Sequence, residues 1–174
     1  MIVVGIDNGA DKRMTELTGW DNPKHEPGEG RQYMQFIVDT VKPYIDTHYR
    51  TRPGRNDTAI MGSSLGGLIS HYAMYEYPGV FGKVGLFSPA YWYAPAVSDY
   101  TSKRKLRADT RVYFYAGGSE GAEMVPDMQR IVAAIRQQHF PESNLAVHVE
   151  PQAQHNETAW RTEFPRAVEW LFGR

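Results

Sequence analysis

Short, continuous apolar runs alternate along this chain with longer stretches in which apolar residues recur at helical spacing. The runs are residues 2–6 (Ile-Val-Val-Gly-Ile), 59–61, 84–87, 111–116 and 145–149. They are brief, rich in β-branched and aromatic residues, and bounded by glycine, proline or polar residues, the pattern of buried parallel strands. Between them come helical patterns. From Gln32 onward Tyr33, Phe36, Ile37, Val41, Tyr44 and Ile45 share one side, with a kink expected at Pro43. Leu65, Leu68, Ile69, Tyr72 and Ala73 form a second stripe, stopped by Tyr77-Pro78-Gly79. Residues 127–139 turn Met128, Ile131, Val132 and Ile135 inward, and a last amphipathic helix carries Trp160, Phe164, Val168 and Leu171. Residues 7–13, 20–30, 51–57 and 94–109 read as loops. Strands alternating with helices predict an α/β fold with a mainly parallel sheet of about five strands and right-handed crossovers.

Composition narrows this only slightly. A chain of 174 residues is one domain by length, spanning residues 1–174 and large enough for a core. A net charge of -1 gives no electrostatic case for nucleic acid or an anionic membrane as partner. The absence of cysteine rules out disulfides and thiolate metal sites. No apolar run approaches the ~20 residues that span a bilayer. Nothing at the start reads as a signal peptide, which favours a cytoplasmic location.

The chemistry concentrates at Gly62-Ser63-Ser64-Leu65-Gly66, between the run at 59–61 and the helix after it. Strand, tight turn and helix with a serine at the apex is the G-x-S-x-G nucleophile elbow. Lifting the Ser64 hydroxyl clear of a sheet strains its backbone. It also requires small residues two before and two after, where strand and helix would otherwise collide. Gly67 adds a third small residue for close packing. The turn aims the helix N-terminus and the Leu65 N–H at an oxyanion forming beside Ser64.

A serine hydroxyl needs a base, and the base needs a third group to hold its tautomer. Ser64, Glu120 and His155 each fall just past a predicted strand, so all three emerge at one edge of the sheet. His155 heads the loop between the last strand and last helix. The other histidines, His25, His48, His71, His139 and His148, lie on helices, in a strand or in unremarkable surroundings. For the acid, Glu120 leads, with Glu123 and Asp127 close enough to substitute. Asp109 precedes its strand and sits at the wrong edge. No step of this chemistry calls for a metal or cofactor.

With these residues in view, the chain resembles an esterase family that includes enterochelin (siderophore) esterases, esterase D-type hydrolases and feruloyl esterases. The likeness covers nearly all of it. Residues 6–17 (Ile-Asp-Asn-Gly-Ala-Asp-Lys-Arg-Met-Thr-Glu-Leu) are similar to the loop ahead of the elbow in siderophore esterases. Gly-Ser-Ser64-Leu-Gly-Gly matches the family's elbow, and Phe81-Gly-Lys-Val with Ser88-Pro-Ala-Tyr-Trp92 matches the next strand and its aromatic loop. Gly117-Gly-Ser-Glu120 falls where the family carries a Gly-x-x-acid element. His155-Asn-Glu-Thr-Ala-Trp160-Arg161 is similar to its histidine segment. The resemblance implies a three-layer α/β-hydrolase fold, a small-molecule ester substrate, and Ser64, Glu120 and His155 as the triad.

Such proteins usually carry three more strands ahead of the one at Ile2, the third ending in the loop that donates a second oxyanion N–H. The chain is then either a shortened version of a longer protein or a minimal hydrolase. In the minimal hydrolase the strand at 2–6 moves beside the elbow strand and the backbone of Asn8 or Gly9 lines the site. The minimal hydrolase is the expectation here. A shortened sheet also exposes an edge, which favours a homo-oligomer. For substrate, Tyr91, Trp92 and Tyr93 follow a strand on the functional edge. They either stack on an aryl or sugar group or cover the sheet. Arg13 either binds an anionic substrate or pairs with Glu16.

Overall fold

In the computed structural model, which describes residues 1–24 and 27–173, four of the five apolar runs pair into one sheet. The helices are Arg13–Glu16 (α1), Gly30–Phe36 (α2), Lys42–His48 (α3), Leu65–Glu76 (α4), Ala96–Lys103 (α5), Met124–Gln137 (α6) and Glu157–Phe172 (α7). The strands are Ala59–Ser63 (β1), Lys83–Phe87 (β2), Arg111–Gly117 (β3) and Leu145–Glu150 (β4). All pairs are parallel, in the order β1-β2-β3-β4. Each strand connects to its neighbour through a helix, so all the carboxyl ends share one edge.

The alternation of side chains along β2 and β3 explains the layers. Val84, Leu86, Val112 and Phe114 point to one face, where they pack with Leu68 of α4 and Met128, Ile131 and Ile135 of α6. Phe87, Tyr113 and Tyr115 point to the other and meet Ala167 and Leu171 of α7. These central side chains are almost wholly withdrawn from water. Each contributes roughly 1.5–3 kcal/mol of transfer free energy.

Four sequence expectations change. Residues 2–6 join no strand, and Ile2, Val3, Val4 and Ile6 are 47%, 66%, 41% and 37% exposed. Among the described residues the sheet therefore has four strands rather than five, and the segment does not pair with the elbow strand. An apolar run becomes a strand only where a neighbouring ladder takes its backbone N–H and C=O groups, and here none does. β1 likewise pairs on one side only, with β2.

The long helix from residue 30 is broken by a π-helical turn at Ile37–Val41, and Pro43 sits at the start of α3. The wider turn, closed by the Lys42 N–H donating to Ile37 O, adds a residue to the helical turn and so rotates the face that follows it. Met34 and Ile37 are inside, whereas Phe36 and Tyr44 are exposed. Residues 94–109 contain a helix, α5, whose Val97 and Thr101 are buried against the core.

On α7 the buried residues are Glu163, Ala167 and Leu171, while Phe164 is exposed. Glu163 faces inward because Tyr113 and His148 meet its carboxylate. Sequence periodicity counts only apolar side chains and misses such a partner. The inward set of α6 is as predicted.

The core also holds His71 of α4, fully buried, with Tyr91 Oη 2.9 Å from Nδ1 and Thr101 Oγ1 2.9 Å from Nε2. Burial pushes its pKa from 6.5 down to about 3. The unfolded chain binds a proton there below pH 6.5 that the folded chain refuses until about pH 3. Stability is therefore whole above that window and falls as pH drops through it. At pH 4 this residue is expected to remove about 3 kcal/mol. Urea midpoints measured from pH 7 to 4 check this. A His71→Asn protein with the same pH slope as wild type would contradict it.

Candidate active site

The elbow is built as its glycines require on one side only. Ser64 is the N-cap of α4 at φ 57, ψ -120, a left-handed conformation rare for a residue with a Cβ. It persists because its surroundings over-determine it. The Ser64 N–H donates to Phe87 O at 2.9 Å, and Ser64 O accepts from Leu68 N and Ala90 N, both at 3.0 Å. A Cβ on Gly62 would lie 2.4 Å from the carbonyl carbon and oxygen of Gly66, so strand and helix cross in contact. A Cβ on Gly66 would meet nothing within 4 Å, so the expected need for a bare residue there does not hold. At Gly67 the fit is tight, 3.1 Å from Pro89, in keeping with close packing.

At the other strand ends the loops are knit together. Gly118 N donates to Glu150 O at 2.8 Å and Ser119 N to Ala153 O at 3.0 Å. Gly117 must be glycine for this approach, since its Cβ would sit 2.2 Å from Ala153 O. Glu120 is thereby carried to the tip of β4. After His155 the chain turns into α7, with Asn156 as N-cap accepting from Ala159 N at 3.0 Å.

The structure brings three of the sequence-nominated side chains into one line. His155 Nε2 is 3.0 Å from Ser64 Oγ, and His155 Nδ1 is 2.6 Å from Glu120 Oε2. Because a carboxylate accepts, Nδ1 carries the proton and Nε2 is left free to accept from the Ser64 hydroxyl. The Glu120 side chain is wholly buried, while the His155 side chain is 35% exposed. The second carboxylate oxygen, Oε1, accepts from Ser88 Oγ at 2.6 Å and Gly117 N at 2.5 Å. Every oxygen of a buried charge is thus met by a donor.

The competing acids are occupied or turned away. Asp127 pairs with Arg130 at 2.6 Å, Glu123 is exposed at the start of α6, and Asp109 pairs with Arg55 at 2.7 Å ahead of β3. Among the histidines, His71 is buried, His48 stacks on Tyr44, His148 faces Glu163, and His139 follows α6. His25 lies outside the described residues.

The remaining expectations fare unevenly. Leu65 opens α4, where first-turn amides have no partner within the helix. The Gly9 N–H donates to Glu16 Oε2 at 2.7 Å, so in this arrangement it is not free for an oxyanion. Asn8 is half-buried in the same loop. Glu16 is spent on Gly9, and among the described residues Arg13 has no ion pair. Of the three aromatics expected to meet substrate, Tyr91 and Tyr93 are core side chains at 4% and 0% exposure. Only Trp92, at 60%, faces solvent. It borders a groove of about 260 Å³ with Pro95, Ser98, Asp127 and Arg130, whose lining does not include Ser64 or His155.

Two partners of this site escaped the sequence reading: Ser88, which holds Glu120, and Trp160, whose indole N–H donates to Ser88 Oγ at 2.9 Å. A signal existed, since Ser88 follows β2 as Ser64 follows β1. Among the described residues no group of three or more His, Asp or Glu is placed to hold a metal ion, and no helix is long and apolar enough to cross a membrane.

Comparison with known proteins bears on the family and the fold. Uncharacterized protein YbbA of Bacillus subtilis is 28% identical over 187 residues, covering all of this chain and 74% of that protein. The siderophore enterobactin esterase of Emericella nidulans is 30% identical over 73 residues, 41% of this chain and 24% of that protein. The enterochelin esterase structure from Shigella flexneri superimposes with a TM-score of 0.76 at 18% identity, a likeness of fold. It covers 97% of this chain, which spans only 41% of that one. The sequence profile described as "Putative esterase" matches residues 1–171, and the chain therefore belongs to the esterase family.

Proposed function

We propose that this chain is a serine carboxylesterase that hydrolyses short acyl esters through an acyl-enzyme on Ser64. The observation that carries this is the unbroken hydrogen-bonded line from Ser64 through His155 to Glu120, at 3.0 and 2.6 Å. His155 takes the Ser64 proton as the oxygen attacks the ester carbonyl, and Glu120 holds the imidazole and steadies the imidazolium. The Leu65 N–H receives the developing oxyanion, a contribution of about 3–4 kcal/mol for one donor. His155 then protonates the departing alcohol, and water repeats the cycle on the acyl-serine. Acyl transfer would use the same groups, with an alcohol in place of water.

A second reading is cleavage of a siderophore ester. It is favoured by the local likeness to the Emericella nidulans esterase, by Arg13 standing without an ion pair among the described residues, and by exposed Trp92. Aryl or sugar esters would suit the same Trp92. The outer edge of β1, unpaired among the described residues, together with an exposed apolar segment at 2–6, favours association with a second copy. A light-scattering mass of one 19.8 kDa chain would contradict that.

The test of function is a fluorophosphonate label followed by mass mapping, alongside p-nitrophenyl acetate turnover. Label on Ser64 with a p-nitrophenol burst is expected. Neither label nor release would leave a binding domain that kept the fold. A label on any other residue would overturn the assignment.

A further inference from the structure

Four strand tips stand side by side at one edge of the sheet, and the proposed triad uses three of them, after β1, β3 and β4. The tip after β2 carries Ser88, which is fully buried and, like Ser64, left-handed, at φ 43. A buried non-glycine residue in that region is strained and held there by its contacts. Ser88 N donates to Tyr115 O at 2.7 Å, and its hydroxyl is used in both directions. Ser88 Oγ donates to Glu120 Oε1 at 2.6 Å and accepts the Trp160 indole N–H at 2.9 Å. Trp160 closes the circuit, because its ring stands edge-on to the His155 ring, centroids 4.9 Å apart at 89°.

From this we infer that Ser88 and Trp160 are positioning residues for the proposed hydrolysis, acting in series on Glu120 and through it on His155. The inference rests on Ser64 being the nucleophile. Glu120 has one oxygen for His155 and one for its supports, so its rotation about the carboxylate axis is set by what meets Oε1. Gly117 N alone leaves that rotation loosely defined, and the Ser88 hydroxyl fixes the plane. Trp160 orients that hydroxyl by occupying its acceptor side, which leaves its proton for Glu120. The same indole walls one side of the imidazole. The first turn of α7, set by the Asn156 cap, thereby couples the placement of the acid to that of the base.

The experiment compares wild type with Ser88→Ala, Trp160→Phe and the double variant. It uses p-nitrophenyl acetate over pH 5 to 9 and measures the rate of fluorophosphonate labelling of Ser64. Ser88→Ala is expected to lower kcat by about tenfold with KM unchanged, the size of loss that small misplacements of a reacting group bring. Its labelling rate should fall in parallel. Removing one donor from Glu120 leaves a more basic carboxylate facing the imidazolium, so the acid limb of kcat/KM should move to higher pH. Trp160→Phe keeps an aromatic ring beside His155 while removing the N–H and part of the indole, and is expected to lose a few-fold in kcat. If the links act in series, the double variant is no slower than Ser88→Ala.

A Ser88→Ala protein whose pH profile and labelling rate superimpose on wild type would overturn the inference. So would a loss confined to KM, or singles whose effects multiply in the double. Trp160→Phe makes the same test should Ser88→Ala fail to fold. Failure of the underlying reading is distinct: there, wild type itself would take no label on Ser64.

Discussion

Ser64→Ala is expected to lower kcat for a short-chain p-nitrophenyl ester by about a million-fold, equivalent to roughly 8 kcal/mol of transition-state stabilisation. His155→Ala should cost nearly as much, and the double variant no more than either. The reason lies in the shared proton. In the proposed mechanism, with Nε2 3.0 Å from Oγ, nucleophile and base perform one event, and removing either leaves the other without a task. Glu120→Gln is expected to be milder, on the order of 10⁴-fold, because an amide in its place lets the imidazole settle in the wrong tautomer. Steady-state rates on purified variants, with folding checked by thermal melts, decide this. Single effects that multiply in the double would mean that the two residues act independently, and the proton-sharing account would fall.

The second large effect is on stability. Gly62→Ala would drive a methyl to within 2.4 Å of the Gly66 carbonyl. Backbone on both sides cannot rotate out of the way as a side chain would. A destabilisation on the order of 3 kcal/mol is expected, with α4 pushed away from β1. That movement shifts the Leu65 amide away from any oxyanion at Ser64, so the folded remainder should also turn over slowly. Gly66→Ala is the control. Its Cβ enters open space at the start of a helix, and replacing glycine there should stabilise by up to about 1 kcal/mol. Urea titrations of the two variants compare them directly. Equal stability of Gly62→Ala and wild type would show that strand and helix have slack at the crossing.

The asymmetry between these glycines also shows where sequence reading stops. The G-x-S-x-G spacing located the elbow, and the strand-end positions of Glu120 and His155 nominated their roles. Both inferences use local chain geometry, namely where a run ends and which residue follows. Spacing treated Gly62 and Gly66 alike, and only the crossing of β1 and α4 separates them. The expected strand at 2–6 is the complementary case. Its composition is that of a strand, yet a strand is a property of a pair, and among the described residues no ladder takes it up. The aromatic stretch was ambiguous for a similar reason. Tyr91, Trp92 and Tyr93 are chemically alike, and burial of the first and third leaves Trp92 alone in solvent.

What the amino-acid sequence determines by itself is the alternation of strands and helices, the elbow, and the places of Ser64, His155 and a short set of acids after the strand tips. These are written in apolar period and in glycine placement, both short-range properties of a chain. Which carboxylate reaches His155, what holds that carboxylate in its plane, and which edge of the sheet is left open were decided only in three dimensions. Glu120, Glu123 and Asp127 differ by a few residues along the chain, but just one is carried by the β3–β4 loop contacts to within 2.6 Å of the imidazole. Ser88 and Trp160 lie 72 residues apart and meet at one hydroxyl. Hydrogen bonds are satisfied by whatever the fold brings near, and no local pattern records that.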